Sequence, residues 1–128
     1  MIRITKITHN IRELFPKLSE YFSCRGDIEF AYLFGSYSSG KVTQLSDVDI
    51  AVYLCDTVSK EQYFDMRLNL FNDISGILHT DEVDIVILNQ ADLILKYQVV
   101  NSRTILYQRD QNKRIDFETR VFDYYFDT

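Results

Sequence analysis

The amino-acid sequence predicts an α/β or α+β protein with a small mixed β-sheet and helices packed mainly on one face. Two observations carry this prediction. Apolar residues recur at the helical spacing of three and four in some segments and form short continuous runs, typical of buried strands, in others. These segments follow the order helix, strand, strand, helix, strand, helix, strand, helix. The length of 128 residues fits one domain, so we expect a single domain over residues 1–128, with its core at about 28–107.

The first part of the chain predicts one helix and one strand. Apolar residues spaced by three and four between positions 4 and 22 indicate an amphipathic helix that ends before Cys24, and Pro16 is expected to kink or split it. Residues Ile28–Phe34 form an apolar and aromatic run that predicts a buried strand. Gly35-Ser36 follows directly and indicates a tight turn at the end of that strand.

The second half supplies the remaining strands and helices. Val48–Leu54 predicts a second strand, whose direction relative to the first stays open because about a dozen residues join them. Ser59 and Gln62 predict a capping box before a long helix that reaches Leu78. The remaining predicted elements are a strand at residues 83–88, a helix capped by Asn89 that ends at about Val100, an edge strand at 104–107 and a C-terminal helix at 113–127.

The charge distribution argues against sequence-independent binding to nucleic acid. The chain carries a formal net charge of −5, and residues 31–95 contain three Lys or Arg against ten Asp or Glu. Coating DNA or RNA requires clustered cations that neutralise phosphates. The acidic middle is therefore either a solvated face or a site for metal cations.

The sequence also predicts a cytoplasmic protein that does not enter a membrane. No apolar run approaches the roughly 18 residues of a membrane-spanning helix. The first ten residues lack the apolar stretch and the small-residue cleavage site of a signal peptide. We therefore expect neither a membrane partner nor secretion.

A polar segment after the first strand combines a candidate phosphate-binding turn with two carboxylates. Gly35-Ser36 offers backbone N–H groups and a hydroxyl to an anion, and glycine lets the backbone come close. Asp47 and Asp49 stand two residues apart at the start of the second strand, so both carboxylates lie on one side of the sheet. Like charges this close repel each other unless they are screened or bound to metal, which indicates Mg²⁺.

A third carboxylate, Asp84, lies in an otherwise apolar predicted strand. Buried without a partner it would be costly, and taken alone it is more often an edge-strand charge facing water. If its strand lies beside the second one, Asp84 joins Asp47 and Asp49 in a cluster able to hold two Mg²⁺ ions about 3.5–4 Å apart. That cluster suits in-line attack of a hydroxyl on an α-phosphorus with pyrophosphate leaving, and Asp84 is best placed to accept the proton.

The spacing of these motifs resembles that of the nucleotidyltransferases with a DNA polymerase β-like fold. Gly35-Ser36, ten intervening residues, Asp47-Val48-Asp49 and Asp84 in the next core strand carry the resemblance. Within that superfamily the chain is most similar to the minimal nucleotidyltransferases, above all to the antitoxin subunits of HEPN–MNT toxin–antitoxin pairs, over roughly residues 30–107. The resemblance implies an enzyme that transfers AMP from ATP to a tyrosine of a HEPN ribonuclease toxin, and a hetero-oligomer with that toxin.

The resemblance also implies a role for each candidate residue. Gly35 and Ser36 would bind the triphosphate of ATP. Asp47 and Asp49 would bind both Mg²⁺ ions. Asp84 would bind the catalytic ion and accept the proton of the attacking hydroxyl.

One position departs from the family pattern. Many relatives carry Arg directly before the glycine that is Gly40 here, whereas this chain has Ser39 and so lacks that cation near the phosphates. Lys41 is a candidate to compensate for it. We include Lys41 and Ser46 among the expected nucleotide-binding residues.

Two other functions stay open at the level of sequence. The first is nucleotidyl transfer to a small molecule such as an aminoglycoside, although those enzymes carry an added acceptor-binding domain that dimerisation would have to replace. The second is a noncatalytic antitoxin that neutralises its toxin by binding alone. The aromatic C-terminal helix predicts either a contact with a partner subunit or closure of the core, through Phe122, Tyr124, Tyr125 and Phe126.

Overall fold

The structure, a computed structural model, describes residues 11–42 and 47–127. Short 3₁₀ turns, Ile11–Leu14, Lys60–Gln62 and Leu88–Gln90, precede three of its helices. No helix in these two ranges is long and apolar enough to cross a membrane. The helices and strands are α1 (Phe15–Ser23), β1 (Ile28–Phe34), α2 (Ser36–Ser39), β2 (Val48–Leu54), α3 (Tyr63–Leu78), β3 (Val83–Ile87), α4 (Leu93–Asn101), β4 (Thr104–Gln108) and α5 (Gln111–Phe126).

The four strands form one mixed sheet in the order β3-β2-β1-β4, which confirms the predicted sheet type. β1 pairs antiparallel with both β2 and β4, which settles the direction that the sequence left open. β2 and β3 are parallel, and the connection between them is α3, as a parallel crossover requires. The outer strands of the sheet are therefore β3 and β4.

The helices cover both faces of the sheet, which corrects the expectation of one covered face. α1 and α3 pack on one face, and α4 and α5 pack on the other. The reason is visible in β1, whose first six residues are all buried. Because its side chains point alternately to the two faces, Leu33 enters one core and Tyr32 the other. A continuous apolar run is the sequence signal of a strand that is covered on both sides.

From residue 11 onward, the predicted N-terminal helix is a 3₁₀ turn, Ile11–Leu14, followed by α1. Pro16 lies in the first turn of α1, where a missing N–H costs no intrahelical bond. The expected split appears as a change from the 3₁₀ turn Ile11–Leu14 to α1. The part of the prediction that falls on residues 1–10 lies outside the described residues.

Of the two predicted helix caps, one is confirmed and one is wrong. The N–H of Ser59 donates to Gln62 Oε1 at 2.8 Å, which forms the capping box before α3. Asn89 does not cap α4, because its amide instead pairs with the backbone N–H and carbonyl of Leu54 at 2.8 and 3.0 Å. Asp92 caps α4, and its carboxylate accepts the N–H of Leu95 at 2.8 Å.

The aromatic C-terminal helix fits both interpretations of its sequence. Phe122 is partly buried against the core that α4 and α5 cover, and Tyr125 stacks on Tyr97 of α4 with ring centroids 3.7 Å apart. Tyr124 and Phe126 stay 62% and 68% exposed. A partner contact through these two rings remains a prediction.

A buried ionic network fastens α5 to the sheet. Glu118 accepts hydrogen bonds from Arg114 at 2.9 Å and from the Tyr32 hydroxyl at 2.7 Å. Arg103 approaches the same carboxylate at 2.8 Å. Burial and the bond to Glu118 raise the pKa of Tyr32, so the phenol remains a hydrogen-bond donor. The network joins β1, the turn before β4 and α5.

We expect Glu118→Ala to lower the free energy of unfolding by about 3–5 kcal/mol, because the substitution leaves the buried guanidinium of Arg114 without its carboxylate. Urea unfolding followed by circular dichroism measures the loss. The control is Asp116→Ala, an exposed acid on the same helix, which should change stability by less than about 0.5 kcal/mol. Equal unfolding midpoints for the two variants would contradict the role given to the network.

Candidate active site

Two of the candidate carboxylates lie side by side on neighbouring strands. In the parallel ladder of β2 and β3, Asp49 is the direct partner of Asp84. Side chains alternate along a strand, so Asp49 shares a sheet face with Ala51, the face that α4 and α5 cover. Asp47 lies one residue before β2 and is exposed. The carboxylates therefore gather where β2 and β3 begin.

The electrostatic environment of Asp49 links the three carboxylates. Burial, followed by the charges of Asp84 and Asp47, raises the pKa of Asp49 from 3.8 to about 6. A neighbouring carboxylate has this effect only when it lies close enough to oppose ionisation. The charges of Asp84 and Asp47 therefore act on Asp49.

The donor set fits Mg²⁺ better than a metal that needs a complete protein cage. Among residues 11–42 and 47–127, no three His, Cys, Asp or Glu side chains converge closely enough to hold an ion. Mg²⁺ usually keeps several waters and binds through one or two carboxylates together with substrate phosphates. The paired carboxylates of Asp49 and Asp84 suit that partial coordination, and a cation would relieve the repulsion that raises the pKa of Asp49.

The turn after β1 lies against Asp49. The antiparallel ladder places Phe34 opposite Asp49, and Gly35 follows with a φ of +71°. A Cβ on Gly35 would collide with Asp49 Oδ2, and the backbone conformation of Gly35, with a ψ of −149°, is one that glycine adopts far more readily than other residues. The backbone of the turn and the carboxylate therefore border the same small volume.

The turn continues into α2, which the sequence analysis described only as a polar segment. The carbonyl of Gly35 accepts the N–H groups of Ser38 and Ser39 at 3.1 and 2.9 Å. Four residues are too few to display a helical period, so no sequence pattern indicated this element. The first N–H groups of a helix have no intrahelical acceptor, which leaves the amide of Ser36 beside the glycine that approaches Asp49.

Distant residues hold α2 in place, and sequence reasoning missed them. The Ser38 hydroxyl donates to the carbonyl of Ser102 and lies 2.8 Å from Thr104 Oγ1. Arg12 donates to the carbonyl of Tyr37 at 2.8 Å. These partners are separated in sequence from α2 by 25 to 66 residues, so no local pattern could have identified them.

The remaining candidate nucleotide-binding residues follow α2. Lys41 is exposed just after Gly40. Ser46 lies outside the described residues. The hydroxyl of Ser39, the residue that replaces the common arginine, donates to the carbonyl of Ser36 at 3.3 Å. That hydroxyl therefore turns back onto α2.

Comparison with known proteins identifies relatives in sequence. A family model described as "Polymerase beta, Nucleotidyltransferase" matches residues 16–112, a range that contains every candidate site residue. The chain is 34% identical over 110 residues to the protein adenylyltransferase MntA of Shewanella oneidensis, which covers 86% of this chain and 68% of that protein. The chain is therefore similar to a curated protein adenylyltransferase over most of its length.

Solved structures of toxin–antitoxin complexes share the fold. A chain in a toxin–antitoxin structure with AMP-PNP superposes with a TM-score of 0.70 at 29% identity, covering 88% of this chain and 86% of that chain. A chain in the complex of the tri-AMPylated Shewanella oneidensis HEPN toxin with the MNT antitoxin gives a TM-score of 0.68 at 27% identity, covering 91% and 87%.

The pKa of Asp49 makes the stability of the metal-free protein depend on pH. Because that pKa lies at about 6 when folded and at 3.8 ordinarily, the folded state holds the proton more tightly. The contribution of Asp49 to stability is therefore greatest below its ordinary pKa and is lost as the pH rises to about 6. We expect Asp49→Asn to be more stable than the wild type by about 1 kcal/mol at pH 8 in EDTA, a value reduced for solvent screening, and equally stable at pH 3.5. Urea titrations at both pH values measure this difference.

Two controls accompany that measurement. Asp56→Asn removes an exposed acid elsewhere and should leave the pH dependence unchanged. Mg²⁺ should stabilise the wild type but not Asp49→Asn, because the variant lacks a charged oxygen ligand. A stability gain in Asp49→Asn that is the same at pH 3.5 and pH 8 would refute the electrostatic explanation.

We expect Gly35→Ala to destabilise the protein by about 2 kcal/mol, because Gly35 has φ +71° and ψ −149°, a region essentially restricted to glycine that costs other residues about 1–3 kcal/mol, and because the new Cβ meets Asp49. The matched control is Gly76→Ala in α3, where an added Cβ meets nothing within 4 Å. That variant should gain up to about 1 kcal/mol of helix propensity. The midpoints of urea unfolding curves measure both changes in stability. A Gly35→Ala variant as stable as the wild type would contradict the close approach of Gly35 to Asp49.

Proposed function

The chain belongs to the polymerase beta nucleotidyltransferase family, and we propose that it is an antitoxin that transfers AMP from ATP to a hydroxyl of a HEPN toxin. The family match covers residues 16–112, and the resemblance and fold predicted from the sequence are both confirmed. The chain is accordingly a nucleotidyltransferase, homologous to the protein adenylyltransferase MntA. Beyond the family, we propose the nucleotide donor, the metal ions, the acceptor and the residues of the site.

The observation that carries the proposal is the pairing of Asp49 with Asp84 beside the Gly35 turn. Nucleotidyl transfer requires carboxylates that hold metal ions next to a backbone turn that receives phosphates. Both features lie within one end of the sheet, on adjacent strands. A solvated acidic face would not require glycine in contact with a half-buried carboxylate.

Each candidate residue has its own role in the reaction. The amide and hydroxyl of Ser36, with the backbone of Gly35, bind the triphosphate, and Lys41 and Ser46 add contacts to it. Asp49 and Asp84 would hold Mg²⁺ together with phosphate oxygens of ATP, and Asp47 would complete the site for two Mg²⁺ ions once the nucleotide is bound. The ions would supply Lewis-acid stabilisation of charge on the phosphates.

Asp84 is the proton acceptor. As the acceptor hydroxyl loses its proton to Asp84, its oxygen forms a bond to the α-phosphorus, and the bond from that phosphorus to the bridging oxygen breaks. Pyrophosphate leaves with the electron pair. In-line geometry requires the hydroxyl and the pyrophosphate to lie on opposite sides of the phosphorus.

Relatives support the donor and the partner. One similar chain was solved with AMP-PNP, an ATP analogue, and another in complex with a tri-AMPylated HEPN toxin. By this similarity the donor is ATP, and the partner is a HEPN toxin in a hetero-oligomer. We further propose a tyrosine as the acceptor, a cytoplasmic location and a single domain over residues 1–128.

The experiment uses the chain purified together with its cognate toxin, incubated with ATP and Mg²⁺. Intact-mass spectrometry should show multiples of AMP added to the toxin, and Asp49→Ala or Asp84→Ala should lower the rate at least about 100-fold. Asp81→Ala, an exposed acid just before β3, is the control and should keep the wild-type rate.

Two results would contradict the proposal. Unmodified toxin that is nevertheless neutralised would indicate an antitoxin that acts by binding alone. Full activity of the Asp49→Ala and Asp84→Ala double variant would reject the mechanism.

A further inference from the structure

The hydroxyl of Ser38 belongs to a chain of hydrogen bonds that joins the turn after β1 to the beginning of β4. It donates its single proton to the carbonyl of Ser102. The hydroxyl of Thr104 lies 2.8 Å from the same Ser38 oxygen, so Thr104 is the donor of this second bond. The chain therefore runs from Thr104 through Ser38 to the backbone of Ser102.

The backbone of Ser38 connects these bonds to the glycine beside the carboxylates. The N–H of Ser38 donates to the carbonyl of Gly35 at 3.1 Å. Because β1 lies between β2 and β4, the turn at its end has neighbours on two sides. Asp49 borders the turn on the β2 side, and the bonds of Ser38 hold it on the β4 side. The position of Ser38 therefore sets the position of the turn relative to Asp49.

The segment that receives the bonds of Ser38 is itself held in place. Arg103 lies between Ser102 and Thr104, and its Nε approaches the buried carboxylate of Glu118 at 2.8 Å. Thr104 is also paired with Leu33 of β1 in the sheet. Side chains that are locked by such contacts can keep a neighbouring site in one geometry. The segment is therefore a firm anchor for the turn.

The orientation of the turn is important because the turn has no cation of its own. Residues 35–39 offer a triphosphate only backbone N–H groups and hydroxyls, since Ser39 stands where many relatives carry arginine. A cation attracts phosphate from many directions, whereas a hydrogen bond weakens steeply when its donor is misaligned. Binding through Gly35 and Ser36 therefore depends on how the turn is held.

We propose that Ser38 and Thr104 are positioning residues for AMP transfer, and that their hydroxyls hold the Gly35-Ser36 turn in the orientation that binds the triphosphate of ATP. The proposal rests on the proposed function and deepens its nucleotide site. Ser38 acts through the backbone of Gly35, and Thr104 acts through Ser38. Neither hydroxyl needs to touch the nucleotide.

Calorimetry with AMP-PNP and Mg²⁺, on the chain purified with its toxin, tests the proposal together with steady-state kinetics of AMP transfer. Ser38→Ala removes both bonds and should raise Kd for AMP-PNP and KM for ATP about tenfold, leaving KM for the toxin within about twofold. Thr104→Val removes only the second bond and should raise the same two constants about threefold. Thr104→Ser keeps the hydroxyl and should restore the wild-type values. The two Thr104 variants keep the test valid if Ser38→Ala fails to fold.

The matched control is Ser19→Ala. The hydroxyl of Ser19 donates to the carbonyl of Leu106 in β4, but Ser19 lies on α1 and not on the turn. Its removal therefore deletes a comparable bond between a serine and a backbone carbonyl. Ser19→Ala should lower the midpoint of urea unfolding about as much as Ser38→Ala does, and it should leave Kd for AMP-PNP at the wild-type value.

The outcomes separate the positioning role from the proposed function. A wild-type Kd for AMP-PNP in the folded Ser38→Ala or Thr104→Val variant would overturn the positioning role and leave AMP transfer intact. Equal rises in Kd for Ser38→Ala and Ser19→Ala would assign the effect to lost stability and would also overturn it. Absence of AMP transfer by the wild-type protein would overturn the proposed function, and the positioning role with it.

Discussion

The register of β2 between its two neighbours is the constraint on which the site depends. The same strand brings Asp49 opposite Asp84 on one side and opposite Phe34, just before Gly35, on the other. A slip of one residue in β2 would turn Asp49 into the opposite core and bring apolar side chains to the site. The flanking residues Val48 and Ile50 are fully buried, and their burial prevents such a slip. Hydrophobic packing therefore fixes the position of the charges.

That position has an energetic cost which the rest of the molecule offsets. Asp49 is half-buried beside like charges, and its raised pKa records the cost of ionising it there. The structure tolerates this because β1 and β2 are buried on both faces, between two separate apolar cores. Perturbed carboxylates of this kind cluster at functional sites. Here the perturbation has a use, because a half-buried carboxylate among like charges favours a bound cation.

The features around the carboxylates follow the order of the strands across the sheet. The glycine turn, the paired carboxylates and a groove beside β3 follow one another over three consecutive strands. Exposed edge strands are usually protected against pairing with other chains. The outer edge of β3 has no strand partner among the described residues, although β3 carries Asp84 of the candidate site.

Local sequence was sufficient for most elements and for the identity of the carboxylates. The apolar runs predicted β1 and β2 at their observed bounds, because strands covered on both faces need apolar residues at nearly every position. The spacing of Asp47 and Asp49, with Asp84 in another apolar run, indicated a shared site. Local sequence did not predict the contacts between distant segments. Asn89 resembled a helix cap by composition, yet it pairs with the backbone of Leu54.

The sequence alone determined which residues are candidates for the chemistry and which segments become strands, because periodicity and residue type act over a few neighbouring positions. Tertiary structure alone decided the strand order, the two-faced helix packing, the anchoring of α2 by Ser38 and the groove beside β3. Each of these results from contacts between residues far apart in the chain, whose free energy depends on how whole elements pack together.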